Sequence, residues 1–342
     1  KSIMRINAAL CCAVFKQHNK GDTKVDKNPV SLNNQKTLLQ RAWISFRRTK
    51  VLYLMLLPAV LLTIIFSYIP MGGVIIAFKD YKYNLGIIDS PWVGLQNFKY
   101  FVTSGKMWLL TRNTLAYNLM FIAADTIFQI FMALLISEMC TKYYKRALQS
   151  VMMLPHFLSW VIIGGLAYSI LNYEFGTLNM IFTNMGLDRV DVYNNAGAWK
   201  WIFLFVRLWQ GTGYGMIFYL AAITGINPEL YEAAYLDGCG LIKRIRYVTL
   251  PMILPTVSIL ILLGLGGILK GNMDMFYQLV GDNANLYDAT DVIDTYVFRS
   301  LTKLKDYTVT TAAGLYQQVI GFILVIAVNM IVKRIDPDSA IF

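Results

Sequence analysis

Long stretches without charge set the fold class of this chain. Four stretches contain no Asp, Glu, Lys or Arg: residues 51–78, 147–173, 247–269 and 307–332. Each exceeds the ~20 residues that a helix needs to cross a bilayer. Two further apolar stretches, 111–139 and 199–224, are interrupted by a few charges: Arg112, Asp125, Glu138, Lys200 and Arg207.

The pattern predicts an all-α integral membrane protein with six transmembrane helices. We expect these spans near residues 51–70, 113–137, 148–171, 199–223, 251–269 and 309–332. Pro155 is expected to kink the third span or to mark its start. In the fourth, Gly211 and Gly215 have the GxxxG spacing that lets helices pack closely.

Basic residues cluster at alternate connections between the predicted spans. They are Arg47, Arg48, Lys50, Lys142, Lys145, Arg146, Lys243, Arg244, Arg246, Lys333 and Arg334. This positive-inside pattern predicts that both termini are cytoplasmic. It also accounts for the net charge of +11 without a nucleic-acid partner. Only 15% of the residues are charged, against roughly 25% in soluble domains.

Residues 1–45 form a polar extension ahead of the membrane domain, which we place at residues 46–342. A short apolar core, Ala8 to Phe15, lacks a small-residue cleavage site after it. We expect a cytoplasmic segment that lies at the membrane interface or is disordered.

Side chains for catalysis or metal binding are scarce. The four cysteines have no metal-ligand spacing, and the chain contains two histidines. There is no GxxxxGK[ST] phosphate loop and no nucleophile–base arrangement. The sequence therefore predicts no catalytic residue, no metal site and no cofactor in this chain.

A polar insert, residues 226–252, separates the fourth and fifth predicted spans. Asn227 is suited to cap a helix and Pro228 to open it, while Gly238 and Gly240 end it. Four residues fall on one face at helical spacing: Leu230, Ala233, Ala234 and Asp237. The insert is predicted to be a helix of about ten residues at the cytoplasmic surface, with a small-residue docking face.

This insert resembles the EAA loop of bacterial ABC-importer permeases. "EAAYLDG" is followed at the family's spacing by "VTLP", with Val248 in place of the usual Ile. Within the loop, residues 229–251, the resemblance assigns coupling to a separate ATPase to Glu232, Ala233, Ala234, Asp237, Gly238, Leu250 and Pro251. Further segments, including "WVGLQNF" and "TAAGLYQQVIGFILVIAVN", are similar to permeases for oligosaccharides.

The resemblance implies the ABC-importer permease fold and a bacterial cytoplasmic (inner) membrane location. It also implies a homologous second permease, an ATPase dimer that binds ATP and Mg, and an extracytoplasmic sugar-binding protein. The chain itself would be a passive half of the pathway for an oligosaccharide, surrounded by membrane lipid. Two other interpretations stay open: a permease for a non-sugar solute, and a self-contained secondary transporter.

Polar side chains inside the predicted spans are the candidates for contact with the transported solute. They are Gln210, Tyr214, Asn272, Asp274, Gln317, Arg207 and Asp125. Such residues are costly in lipid and commonly face a cavity or a partner helix. Hydrogen bonds between helices are the alternative role, and Lys270 and Asp274 are spaced to pair with each other. Arg207 and Lys270 would also suit an acidic cargo.

Overall fold

The computed structural model describes residues 50–139 and 141–335. Within these ranges the chain is helical, and extended pairing is limited to two isolated bridges, Lys79 with Trp92 and Lys82 with Gly86. The predicted all-α class is confirmed for this part of the chain. The expectation for residues 1–45 lies outside the described residues.

The chain divides into two compact units, Lys1–Tyr68 and Ile69–Phe342. The described part of the first contains helix α1, Lys50–Thr63, and a π turn, Ile64–Tyr68. Its apolar side chains are exposed, with Met55 at 74% and Phe66 at 73%. An apolar surface of this kind suits contact with hydrocarbon.

The second unit contains the remaining helices. The three longest have 29 to 32 residues, and shorter helices lie between them. In chain order they are α2 Ile69–Met71, α3 Gly86–Asp89, α4 Gln96–Thr103, α5 Lys106–Ser137, α6 Lys142–Met153, α7 Trp160–Leu171, α8 Thr177–Asn184, α9 Ala196–Thr224, α10 Pro228–Leu236, α11 Leu241–Arg244, α12 Leu250–Gly266, α13 Met273–Val280, α14 Tyr287–Thr290, α15 Ile293–Arg299 and α16 Tyr307–Ile335.

Among the described residues, four helical runs are long and apolar enough to cross a membrane: Leu52–Phe78, Lys106–Ser137, Leu241–Gly266 and Tyr307–Met330. A fifth span results if the bent pair Lys142–Phe157 and Trp160–Leu171 counts as one. The predicted fourth span, α9, is 29 residues long but is not among them. Lys200, Arg207 and its glycines make it less apolar than the others.

Two spans begin earlier than the sequence predicts. Helix α5 starts at Lys106 rather than near residue 113, and Arg112 lies within its first turns. Pro251 does not begin the fifth span, since the helix is continuous from Leu241 to Gly266. A π turn, Ile245–Thr249, precedes Leu250 and Pro251, and this wider turn tolerates the proline ring and its missing N–H.

The segment that the sequence predicts as the third span is sharply bent. The helices on either side of the bend meet at 92° between Phe157 and Trp160. A short 3₁₀ turn containing Pro155 is followed by Leu158 and Ser159 in extended conformation, and the Ser159 side chain then caps α7. The predicted break at Pro155 is thus displaced by a few residues.

Helices α5 and α9 form the most extensive helix pair. A buried cluster around Phe203 and Phe276 fills one end of this pair, and another around Ile136 and Met216 fills the other. Gly215 faces α5, where an added Cβ would lie 2.2 Å from the Gln129 side chain, and Gly213 faces α6, where an added Cβ would lie 1.8 Å from the Met152 carbonyl oxygen. Gly211 has nothing within 4 Å, so the GxxxG prediction is wrong for that residue.

Candidate coupling and translocation sites

Local sequence signals fix both ends of helix α10. The Asn227 side chain accepts a hydrogen bond from the Glu229 amide at 3.1 Å, and Pro228 occupies the first turn. At the other end Gly238 has φ of +70°. The Gly238 amide donates to the Tyr235 carbonyl, and the Cys239 amide donates to the Ala234 carbonyl at 2.9 Å. These two bonds form a Schellman motif, which requires the left-handed glycine.

Most of the surface of α10 is not covered by other parts of this chain. None of its residues is buried, and Tyr235 and Leu236 are 73% and 86% exposed. Glu232, Ala233, Asp237 and Gly238 are exposed as well. A short helix with this much exposed apolar surface has the character of a docking element.

Two polar contacts anchor α10 and the turn after it to the membrane helices. The Tyr231 hydroxyl lies 3.0 Å from the hydroxyl of Thr249, which is buried at the start of α12. Arg244 donates to Glu138, at the end of α5, at 3.2 Å. A cavity of about 420 Å³ lies between these contacts. Helix α10 and the turn after it are therefore held against two long apolar helices at once.

Leu250 and Pro251 play a different part from the rest of the predicted coupling set. Leu250 is half-buried and packs against the cluster that contains Ile253 and Met216. Pro251 follows the π turn at the base of the fifth span. These two residues lie where the loop joins the span and not on α10.

An ion pair joins α5 and α9 inside the membrane helices. Arg207 Nε donates to Asp125 Oδ2 at 3.2 Å, and the two side chains remain 34% and 15% exposed. The guanidinium also lies 6.0 Å from the ring of Phe121. Pairing lowers the cost of both charges in the membrane, while the arginine stays accessible to a solute.

Gln210 and Tyr214 lie further along α9. Gln210 is buried, whereas Tyr214 is 46% exposed. The Tyr214 ring stacks on His156 with centroids 4.5 Å apart and planes 6° apart. The sequence did not single out His156, although its position directly after Pro155 at the bend of the third span was a usable signal.

Gln317 and Asn272 are already engaged by the protein. The Gln317 amide donates to the Leu269 carbonyl at 2.7 Å and to Asp294 at 2.9 Å. The Asn272 side chain caps α13 by accepting from the Met275 amide. Asp274 is exposed, and its expected ion pair with Lys270 is not among the salt bridges of the described residues.

Asp294, which the sequence did not indicate, organises this second cluster. It also accepts from the Gly271 amide at 2.6 Å. Burial raises the pKa of the Asp294 carboxyl, and the hydrogen bonds from Gly271 and Gln317 oppose that rise. Asp294 lies 23 residues from both Gly271 and Gln317 in the chain, and no helical or strand periodicity at that separation predicts these contacts.

The geometry of an anchored, exposed loop between spans agrees with the relationship found by comparison. Residues 126–337 match the family described as binding-protein-dependent transport system inner membrane component. The chain belongs to this family. It is therefore a membrane transport component and not an enzyme, as its sequence predicts.

Relatives extend the similarity of this permease over most of its length. It is 33% identical, over 88% of the chain and 93% of the relative, to the polygalacturonan/rhamnogalacturonan transport system permease protein YteP of Bacillus subtilis (strain 168). It is 34% identical to protein LplB of the same organism, over 87% and 93%. A solved bacterial ABC transporter involved in the import of the acidic polysaccharide alginate matches with a TM-score of 0.79 and 34% identity, over 86% of this chain and 99% of that one.

The candidate solute contacts of the permease fall into two groups. Arg207, Asp125, Gln210 and Tyr214 lie along the α5–α9 pair, and Asn272, Asp274 and Gln317 lie around the end of α12. Within the described residues no group of three or more His, Cys, Asp or Glu side chains is arranged to hold a metal ion.

Proposed function

We propose that this permease forms half of the translocation pathway of an ATP-driven importer of oligosaccharides. Its similarity to a polygalacturonan/rhamnogalacturonan permease and to an alginate transporter supports this cargo class. A solved alginate transporter in complex with a pentasaccharide-bound periplasmic protein is also similar, with a TM-score of 0.78 and 34% identity. That similarity supports delivery of the sugar by an extracytoplasmic binding protein.

Helix α10 is the coupling helix in this proposal. The observation that supports this role most directly is that all residues of α10 except Tyr231 and Ala234 are exposed, while Tyr231 and Arg244 hold the helix and its following turn against α12 and α5. Glu232, Ala233, Ala234, Asp237 and Gly238 enter a groove of an ATPase subunit. Leu250 and Pro251 pass the displacement to the fifth span. ATP and Mg are bound by the ATPase and not by this chain.

The full arrangement has six spans, with α9 as the fourth. Its charges are tolerated because Arg207 pairs with Asp125 and because α9 lies against α5. A homologous second permease covers the apolar surfaces that this chain leaves exposed. Both termini and α10 face the cytoplasm of a bacterial cell, in line with the basic residues at alternate connections.

The solute passes the accessible side of the α5–α9 pair. Arg207 and Tyr214 keep partly exposed polar groups there, and Gln210 and Asp125 lie beside them. Gln317 and Asn272 have mainly structural roles, because their side chains hydrogen-bond to the backbone at Leu269 and at the start of α13. Asp274 remains a candidate because its side chain is exposed.

The first test is co-purification from native membranes, with identification of the associated proteins. Wild type is compared with Glu232→Arg and Gly238→Pro. Glu174→Arg is the matched control, because it makes the same charge change at an exposed residue in the connection between the third and fourth spans.

We expect an ATPase to be retained by wild type and by the control, and to be lost or uncoupled in the two α10 variants. A chain that purifies alone and transports solute without added ATPase would instead identify a self-contained transporter. Binding of oligosaccharides by the co-purified external protein tests the cargo class independently.

A further inference from the structure

A second cavity, of about 390 Å³, lies at the other end of the α5–α9 pair, away from α10. Its walls come from the early turns of α5, the first turns of α9 and the short helix α14. They include Arg112, Asn113, Tyr117, Met120, Lys200 and Asp288. This volume is in the range of small-molecule binding sites, ~300–1,000 Å³. None of the solute contacts that the sequence suggested lines it.

The cavity carries an excess of positive charge. Arg112 and Lys200 line it against one carboxylate, Asp288, and all three side chains are exposed. Neither cation forms a salt bridge within the described residues. Arg112 reaches only a neighbouring amide oxygen, on Asn113, at 3.4 Å. Lys200 Nζ lies 5.6 Å from the centre of the Trp201 ring, a contact that leaves its charge unneutralised. Two cations without a carboxylate partner beside a cavity attract an anionic group.

Hydrogen bonds fix the wall opposite α9. The buried Asn113 amide donates to the carbonyls of Asp288 and Asp291, at 3.0 and 3.1 Å. The Tyr117 hydroxyl donates to the Ala289 carbonyl at 2.8 Å. The cavity is therefore preformed, and Tyr117, Ala116 and Met120 supply an apolar surface beside its charges. Sugars offer such surfaces their C–H faces while their polar groups bind elsewhere.

Helix α9 carries a second positively charged residue further from the cavity than Lys200. Lys200, Arg207 and Tyr214 are spaced seven residues apart, so they share one face of the helix. Each step moves about 10 Å along the axis. Arg207 is the next cation inward and stays 34% exposed beside Asp125. A phospholipid phosphate would remain at the interface, whereas a group that is transported meets this second cation.

We propose that the cavity between α5, α9 and α14 binds the carboxylate of a uronic-acid unit as an acidic oligosaccharide enters the permease. Arg112 and Lys200 provide the charge-assisted hydrogen bonds, and Arg207 receives the carboxylate next. The inference rests on the proposed importer function and adds the acidic class of cargo to it. A phospholipid phosphate presents the same anionic oxygen chemistry, so the test separates these two sources.

The experiment measures uptake by the complete transporter in proteoliposomes, with its ATPase, second permease and binding protein. The probes are trigalacturonate and its fully methyl-esterified form, supplied below saturation. The test variant is Arg112→Gln with Lys200→Gln. The control is Lys99→Gln with Lys106→Gln, which removes two exposed lysines that do not line the cavity. Asp288→Asn changes the charge in the opposite direction.

We expect the test variant to take up trigalacturonate roughly tenfold more slowly than wild type, since two solvent-exposed charged contacts with the carboxylate are replaced by neutral ones. Uptake of the methyl ester should be unchanged in it, and the control should resemble wild type for both probes. Asp288→Asn should accelerate uptake of the acid alone. These results together support the carboxylate site.

Equal loss of both probes, or no loss of either, overturns the inference while the importer function stands. An effect that appears only in vesicles containing phosphatidylglycerol, and equally for both probes, assigns the cavity to a lipid phosphate. Wild type that takes up the ester alone also overturns it. Wild type that takes up neither oligosaccharide refutes the importer function for these sugars, and the inference fails with it.

Discussion

Arg244 and Glu138 form a 3.2 Å ion pair between residues 106 positions apart in the chain. Glu138 directly follows α5 and Arg244 ends α11, so the pair joins the second and fifth spans beside α10. Both side chains are partly exposed, at 33% and 24%. Such a pair adds modestly to stability, but it fixes where the loop that contains α10 meets the membrane helices.

Reversing either charge of this pair should weaken coupling. Glu138→Arg and Arg244→Glu each place like charges together, and we expect a several-fold loss of transport, for a change of roughly 1 kcal/mol. The double variant restores opposite charges and should recover most of the transport. The measurement is solute uptake per ATP hydrolysed. Absence of recovery in the double variant would show that the pair does not act as a unit.

The left-handed turn at Gly238 should be sensitive to any side chain. Gly238→Ala meets no neighbouring atom, so its cost, about 1–2 kcal/mol, comes from φ alone. Gly238→Asn should be milder, because Asn tolerates this conformation better. Gly240→Ala is the control, since Gly240 has φ of −68° and open space around it. The expected order of ATPase retention is Gly240→Ala, then Gly238→Asn, then Gly238→Ala.

The contact of α9 with the end of α6 should distinguish two glycines of the same helix. Gly213→Ala would place a Cβ 1.8 Å from the Met152 carbonyl oxygen and should destabilise the protein by about 1–3 kcal/mol or more. Gly211→Ala has open space and should be neutral or slightly stabilising. Thermal unfolding of the purified permease in detergent provides the comparison. Equal melting temperatures would contradict the close packing at Gly213.

The half-buried carboxyl of Asp294 should give the permease a pH-dependent stability. Because burial raises its pKa in the folded state, the folded protein binds this proton more tightly than the unfolded chain does. Its contribution to stability is therefore largest below the unfolded pKa and falls as pH rises through the folded pKa. Asp294→Asn keeps an acceptor for Gly271 and Gln317 without the charge.

We expect Asp294→Asn to be more stable than wild type at neutral pH, with a difference that shrinks as the solution is acidified. Thermal unfolding of both proteins across this pH range measures it, and taking the difference cancels the other carboxylates. A difference independent of pH would mean that Asp294 titrates normally in the folded state.

Local signals made helix α10 predictable. Asn227, Pro228 and Gly238 act within a few residues of where they stand, through a cap, a fixed φ and a left-handed turn. The charge-free spans were predictable for a similar reason, since hydrocarbon imposes a single composition over a fixed length. The residues at which the helices begin were harder to predict, because a charged residue, Arg112, is tolerated inside α5 beside an open cavity.

Long-range pairings were not readable from one sequence. Asp125 and Arg207 were both noted as polar residues within spans, but 82 residues separate them and no period connects them. Gln317 looked equally suited to bind a solute or a backbone, and only its distances to Leu269 and Asp294 distinguish these roles. The spacing of Gly211 and Gly215 suggested close packing in α9 without showing that Gly213 and Gly215 face neighbouring helices while Gly211 does not.

The helical run from Leu241 to Gly266 has a mechanical consequence under the proposed coupling. Its 26 residues extend about 39 Å and include the π turn Ile245–Thr249, and its first residue lies a few positions after α10. A push on α10 by an ATPase would therefore travel along this run. The bent pair Lys142–Phe157 and Trp160–Leu171 cannot carry an axial push in this way, because its two halves meet at 92°. Movement of the Leu241–Gly266 run against a stationary bent pair is then the simplest motion for the proposed transporter.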